Sequence, residues 1–578
     1  PVDDPLVYPT SAAYADALVG RAPRPTLRRR WQRAHRPVGV PLGRAATAAG
    51  ADSNASRPVS KRSAVPGPSA FVGLAIGAVF AVPAVYVAAQ VVTLNTPFAK
   101  TLEEIQGPLW RTLQLAALVS ATAALIGTLL AWVTVRTDLP FRKAWRVALV
   151  LPLVLPSFVG AGAFIAGVTP GGIIHETLLA LGFTPPRRFR GLGASWLVLS
   201  AFTYPYVMLP VSARLTSLRT SVEESARMLG CSARQAFVRV VLPEIRPAIL
   251  AGALLVFLYT LSEFGAVQLL GYDTLTRVIF ATRQADRAVS FAAAAALLVL
   301  ATLVVIAERR FRGRAVPDQR PAGAQRPAEL GWRKLPATLA CAAVLTAGLI
   351  IPVTSLLLWA VRGIRDGAIA FGDLVEPTVN TAGVALVTAV ITVIVILPIA
   401  TETTRRPGPI PAVAAAAVLG GFAIPGLVIA LALAVIALNA SGVGWLYQSL
   451  VLLILGYVVH FGSQALASAE QAVRAVPVRV REQARLLEPV AIRRATQIDV
   501  PLMRPGLVAG GGLVMLATLK ELPVTLLLAP IGFSTLATEI WGGFTEGFYA
   551  ETGVASLLLI AVSASLTWLL VLRPTIRS

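Results

Sequence analysis

The stretch Ala288–Ala307 reads AVSFAAAAALLVLATLVVIA, twenty residues without a charge, bounded by Arg287 on one side and by Glu308-Arg309-Arg310 on the other. Twenty helical residues are about 30 Å long, the thickness of the hydrocarbon core of a bilayer. The run has no polar face to turn toward water, so it reads as a membrane span. Eleven further apolar runs lie near 71–92, 112–135, 147–168, 194–213, 247–270, 335–361, 378–400, 410–438, 445–469, 505–528 and 553–572. The 578-residue chain is 56% hydrophobic and 14% charged, with a mean hydropathy of +0.72. Soluble domains carry roughly 25% charged residues. A soluble multidomain enzyme is excluded, and an all-α polytopic membrane protein of about 12 transmembrane helices is expected.

The net charge of +22 would suggest nucleic acid in a soluble protein, but its placement along this chain says otherwise. Lys and Arg in short loops are retained in the cytoplasm. With twelve spans both termini share one side, and with that side inside, forty of the 51 Lys and Arg fall in inside segments and nine outside. The nine include the cluster Arg187-Arg188-Arg190, which runs against the rule in the outside loop 169–193. The expected location is the cytoplasmic membrane of a prokaryote, multi-pass, with both termini cytoplasmic, lipid as surroundings and no nucleic acid. Residues 1–66, rich in Arg, Pro, Ala and Ser, are expected to be a disordered basic cytoplasmic tail. Cys231 and Cys341 are too few for a disulfide or zinc framework and read as free thiols.

The segment 308–334 carries Arg309, Arg310, Arg312, Arg314, Pro317, Pro321 and Pro327 and reads as a cytoplasmic linker between a first half, 67–307, and a second, 335–578. Glu224-Ser225-Ala226 aligns with Glu482-Gln483-Ala484, Pro243 with Pro501, Arg246-Pro247 with Arg504-Pro505 and Glu263 with Glu521, all offset by 258 residues. Upstream, Thr112 pairs with Thr381 and Pro156 with Pro425 at an offset of 269, so the first half holds 11 extra residues, expected around 169–193. Two similar halves predict two bundles about a pseudo-twofold axis with a pathway between them.

The loop before the fifth span of the first half reads Glu224-Ser225-Ala226, three residues, Gly230, nine residues, then Val240-Val241-Leu242-Pro243. This resembles the EAA signature of ABC importer permeases. In the second half Glu482, Ala484 and Pro501 keep the spacing, but Glu488 stands at the glycine position and Pro489 follows it. Physically the pattern predicts a short helix, a turn that wants the backbone freedom of glycine, a second short helix, and a proline at the first turn of the next span. Such a knob suits docking into a cleft of a soluble partner. The alternative for a single copy is an arginine-rich interfacial helix. No Gly-x-x-x-x-Gly-Lys-Ser/Thr loop occurs, so the chain is not expected to hydrolyse ATP. The resemblance implies type I importer architecture in two six-helix repeats. It also implies two copies of a separate ATPase subunit holding the ATP and magnesium, and an extracytoplasmic substrate-binding protein. No catalytic residue, cofactor or metal site is expected in this chain. The coupling residues it marks are Glu224, Ala226, Gly230, Leu242, Pro243, Glu482, Ala484, Glu488 and Pro501.

Ionisable groups at membrane depth are functional candidates by default. Glu263 and Glu521, at equivalent places, are expected past the middle of outward-running helices, facing a pathway for a cation; the alternative is structural, with Lys520 neutralising Glu521 or Glu263 protonated and bonded to a neighbouring helix. Tyr204, Tyr206 and His460 read as packing groups, and His35 and His175 lack the spacing of metal ligands. The run from Pro501 to Gly506, Leu519-Lys520-Glu521-Leu522-Pro523 and Gly532-Phe533-Ser534-Thr535-Leu536 looks like the second half of fused ferric-iron ABC importer permeases. Glu263-Phe264-Gly265 and Gly271-Tyr272-Asp273-Thr274-Leu275 are similar to the same family, over roughly 70–575. Fused thiamine and aminophosphonate permeases share the architecture, and a twelve-span secondary carrier would use the two glutamates as ion sites. The loop 529–552 has Glu539, Glu546 and Glu551 and no Lys or Arg. In a Cys231→Ser, Cys341→Ser background, Glu546→Cys should therefore be labelled by a membrane-impermeant maleimide from outside intact cells; labelling only from the cytoplasm would invert the topology.

Overall fold

The computed structural model describes residues 68–93, 98–218, 225, 228–311, 327–367 and 369–567. The tail 1–66, Glu224, Ala226 and most of the linker lie outside the described residues. Those described form helices, and no strand occurs among them beyond an isolated bridge between Thr137 and Ala328. Eleven helices are long and apolar enough to cross a membrane, or twelve if one bent pair is a single span.

The first half comprises α1 (Pro68–Thr93), α2 (Phe98–Arg136), α3 (Arg142–Ala148), α4 (Ser157–Val168), α5 (Ile173–Ala180), α6 (Leu192–Thr203), α7 (Pro205–Ser217), α8 (Leu242–Ser262), α9 (Gly265–Leu269), α10 (Leu275–Thr282) and α11 (Arg287–Phe311). The second comprises α12 (Lys334–Leu345), α13 (Ile351–Arg365), α14 (Val375–Arg405), α15 (Pro409–Ala423), α16 (Gly426–Asn439), α17 (Leu450–Ala475), α18 (Val478–Leu487), α19 (Val500–Leu519), α20 (Pro523–Leu528), α21 (Leu536–Glu546) and α22 (Tyr549–Thr567). The repeat read in the sequence reappears as paired hydrogen bonds. Thr112 Oγ1 donates to Pro108 O and accepts from Leu275 N–H at 2.9 Å, while Thr381 Oγ1 donates to Pro377 O and accepts from Leu536 N–H at 2.8 Å. The expected extra residues form α5 and its flanking turns, between α4 and α6; the corresponding connection 440–449 holds only the 3₁₀ turn Gly444–Leu446.

Four of the expected continuous spans are broken. The run 410–438 is two helices bent by 108°, and 147–168 is α3, a 3₁₀ turn and α4. Proline disfavours the helical region for the residue before it, and Leu155 (φ −78°, ψ 127°) and Ile424 (φ −81°, ψ 122°) are extended ahead of the aligned Pro156 and Pro425. The runs 247–270 and 505–528 end their helices at Ser262 and Leu519. Glu263 and Glu521 therefore sit at breaks and not within continuous helices as the apolar pattern predicts.

The two halves also exchange their first spans. α1 packs on α11 of its own half and on α14 and α15 of the other, whereas α13 packs on α22 of its own half and on α4 of the first. Phe80 and Val87 are buried in one core with Leu427, Tyr457 and Leu466, and Cys341 is buried in another with Leu199, Phe202 and Val211. Both cysteines are free thiols. After the linker the chain is clipped to the loop following α2: Ala328 N–H donates to Arg136 O, Asp138 N–H to Ala328 O and Leu330 N–H to Asp138 Oδ1. Lys334 Nζ lies 2.7 Å from Asp138 Oδ2 and, with the Leu330 amide, holds that carboxyl below its ordinary range.

The exchange depends on small residues that let helices approach closely. A Cβ added at Gly77 would stand 2.9 Å from Cα of Ala414, whereas at Gly73 it would meet only Ile399 Cγ1, at 3.6 Å. Gly77→Leu should lower the stability of the detergent-purified protein by about 1–3 kcal/mol, measured by thermal unfolding, with Gly73→Ala within about 0.5 kcal/mol of the parent.

Candidate functional site

Two regions carry the sequence-predicted site residues. The first is the pair of knobs. Gly230 adopts φ +89°, the left-handed turn the pattern predicts, and a side chain there would be strained. Glu488 in the second knob is extended, φ −135°, ψ 97°, the region that the following Pro489 favours. Its turn is held otherwise: Arg494 Nη1 donates to Glu488 O at 3.1 Å, and Val490 N–H to Glu488 Oε1 at 3.1 Å. The departure from glycine is thus a different turn. Glu482 is exposed and Ala484 buried at 3%.

Past each turn a short helix, Ala233–Ala236 or Ala491–Arg494, runs through a π turn, Phe237–Val241 or Ala495–Asp499, into the next span, α8 or α19. Leu242 opens α8, and Pro243 and Pro501 lie in the first turns of α8 and α19, where a missing N–H is tolerated. Arg214 Nη2 meets Glu244 Oε2 at 2.6 Å, joining α7 to the first turn of α8, and Arg405 Nη2 meets Asp499 Oδ1 at 3.4 Å, joining α14 to the π turn before α19. Sequence reasoning missed what the knobs present. Met228 and Leu229 are 88% and 86% exposed, and Leu486 and Leu487, at the same offset of 258, are 86% and 80% exposed. The repeat alignment pairs these apolar residues, but only the structure shows them facing outward. The exposed apolar pair is thus repeated in both halves.

The second region is the seam between the halves at the helix breaks. Glu263, 7% exposed, accepts from Ala266 N–H at 2.9 Å and from Ser157 Oγ at 2.8 Å, and its carbonyl accepts from Thr276 Oγ1 at 2.7 Å. Glu521 accepts from Val524 N–H at 3.2 Å, and its carbonyl from Thr525 Oγ1 at 2.8 Å. Each glutamate caps the short helix that follows it, satisfying an amide that a helix start leaves without a partner. The surroundings differ. Gly426 replaces Ser157 in the second half, and His460 Nε2 lies 3.9 Å from Glu521 Oε2. His460 is therefore part of the seam and not simply a packing group. Lys520 Nζ donates to Leu153 O at 3.1 Å, reaching into the first half.

The breaks meet across the seam. A Cβ at Gly265 would lie 2.7 Å from Phe158 Cβ and 3.1 Å from Leu522 Cδ2. The Phe264 ring lies 5.6 Å from that of Trp541. Tyr204 lies away from this seam, buried, its hydroxyl donating to Leu149 O at 2.7 Å. Among the described residues no three His, Cys, Asp or Glu converge to hold a metal ion. The arrangement is a buried polar seam at which Glu263 and Glu521 meet backbone and hydroxyl partners.

Residues 123–315, the span that holds the first knob and Glu263, match the family described as binding-protein-dependent transport system inner membrane component. The Fe(3+)-transport system permease protein FbpB 2 of Haemophilus influenzae is 27% identical over 468 residues, covering 79% of this chain and 88% of that protein. The molybdenum transport system permease protein ModB of Azotobacter vinelandii is 33% identical over 162 residues, covering 28% of this chain and 70% of that protein. The sulfate transport system permease protein CysT of Escherichia coli is 34% identical over 157 residues, and the match spans about half of it, 55%. With two matched knobs, a broken-helix seam and these relatives, the chain belongs to the binding-protein-dependent transport system inner membrane components, the permeases of ABC importers.

Proposed function

We propose that this chain is the whole transmembrane pathway of an ATP-driven importer for ferric iron, both halves supplied by one polypeptide. A substrate-binding protein delivers the cargo on the side opposite the knobs. Two ATPase subunits, which hold ATP and magnesium, dock one on each knob from the cytoplasm, where both termini of the permease also lie. The observation that carries the coupling reading is the pair of equivalent exposed dyads, Met228-Leu229 and Leu486-Leu487. Each dyad would seat in an apolar cleft, so that closure of the two ATPases draws the knobs together and moves α8 and α19, to which the π turns join them. Glu224, Ala226, Gly230, Glu482, Ala484 and Glu488 shape the knobs, and Leu242, Pro243 and Pro501 set the joints.

The iron assignment rests on the length of the match to the iron permease, 79% of the chain, against 27–28% for the sulfate and molybdenum permeases. The seam agrees with it in charge, because two carboxylates near a dry passage offset the cost of moving a cation and oppose an oxyanion. Thiamine, also a cation, is the competing cargo of the same architecture. Glu263 and Glu521 hold the helix breaks in the resting seam, and their charge acts on the cargo once the passage opens.

Reconstituted with its ATPase and binding protein, the permease should take up radiolabelled ferric iron in preference to thiamine, sulfate or molybdate; uptake of another of these without iron would reassign the cargo. Glu263→Gln with Glu521→Gln keeps an acceptor for each cap but removes the charge. It should lower iron uptake about tenfold or more, with ATP hydrolysis in the absence of binding protein unchanged, and uptake at the parent rate would remove the carboxylates from the pathway. Leu486→Glu with Leu487→Glu should weaken ATPase association by at least tenfold, since burying each leucine contributes about 1.5–3 kcal/mol; pull-down of the ATPase at parental affinity would exclude the docking role.

A further inference from the structure

The end of the molecule away from the knobs is electrically polarised between the halves, and one feature of that polarity has no counterpart in the repeat. The connection 169–191 of the first half carries α5 and then an exposed tip, with Leu179, Leu181 and Phe183 at 49%, 66% and 63% exposure. Arg187, Arg188 and Arg190, all exposed, follow it. The equivalent connection 440–449 has no charged residue. At the same end the second half presents exposed Glu539, Glu546 and Glu551, with Phe548 55% exposed among them and no Lys or Arg between 529 and 552.

The basic segment is rooted at the seam. Gly191 N–H donates to Leu270 O at 2.7 Å, directly after the capped helix α9. The Phe189 ring stacks on Phe164 of α4 at 5.9 Å, and Arg362 Nη1 of the second half donates to Gly171 O at 2.6 Å. An interfacial lipid anchor would be expected at the periphery of the bundle, whereas these roots tie the segment to α4, to the turn after α9 and, through Arg362, to the second half.

We infer that 179–190 is a docking surface for an acidic patch on the substrate-binding protein, and that the glutamates at 539, 546 and 551 receive a basic patch on the same protein, so that it seats in one orientation only. The inference rests on the importer reading. A pseudo-symmetric permease offers a partner two nearly equivalent placements, and like charges opposed in the reversed one would reject it. Attraction between the exposed charges would also speed encounter, an effect that salt screens beyond about 8 Å at physiological ionic strength.

The test uses the complete assembly in phosphatidylcholine vesicles, reading the concentration of binding protein that half-maximally stimulates ATP hydrolysis. Arg187→Glu, Arg188→Glu, Arg190→Glu together should raise it about tenfold or more at low salt, with the gap closing at high salt and unstimulated hydrolysis unchanged. The corresponding all-lysine variant should stay at the parental value, separating charge from misfolding. A photo-cross-linker at position 183 should capture the acidic patch alone, and one at 548 the basic patch alone. A parental half-saturation in the triple-glutamate variant, capture of both patches equally at 183, or a shift seen only when phosphatidylglycerol is present would overturn the inference, the last by assigning the arginines to lipid. Failure of the unmodified assembly to respond to any binding protein would instead remove the importer reading on which it rests.

Discussion

Inside a bilayer there is no water to receive a freed backbone amide or carbonyl, so a helix can be broken only where the protein supplies the missing partner. This chain breaks helices in both halves at equivalent places and meets the constraint with side chains brought to the seam. Glu263 takes the Ala266 amide and the Ser157 hydroxyl, and Glu521 takes the Val524 amide. Thr276 and Thr525 donate to the carbonyls of the same two glutamates. The two glutamates are thus held by the fold itself, each serving the short helix that follows its break. Lys520, spent on Leu153 O, ties the second break to the first half.

The exchange of first spans follows from the same seam. α4 and α16, the helices that follow the two proline breaks, each pack on the first span of the other half. Phe80 fills the space over Gly462, while Trp359 Nε1 donates to Ala166 O at 3.0 Å. Neither half buries its own core alone. The clip between Asp138, Leu330 and Lys334 fixes where the chain re-enters the membrane for that exchange.

Pseudo-symmetry is broken at both ends of the molecule. The two knobs present the same apolar dyads but turn differently, one through Gly230 and one through Glu488-Pro489. At the other end the first half gains the basic excursion and the second half keeps acidic loops. A fused permease can let its halves diverge in this way because each copy of a site is encoded separately.

Apolar run length and the 258- and 269-residue offsets were enough to read an all-helical membrane chain with an internal repeat and an extra connection, since bilayer thickness acts on composition alone. The prolines at 156 and 425 were visible too, yet hydropathy could not say that they break a helix within an apolar run, because broken and continuous spans have the same composition. That Glu263 and Glu521 cap helices, that His460 and Ser157 join them, and that α1 and α13 change partners were decided only by the tertiary structure. Those outcomes depend on which side chain reaches an unpartnered amide and which glycine admits a neighbouring helix, contacts between residues far apart in the chain.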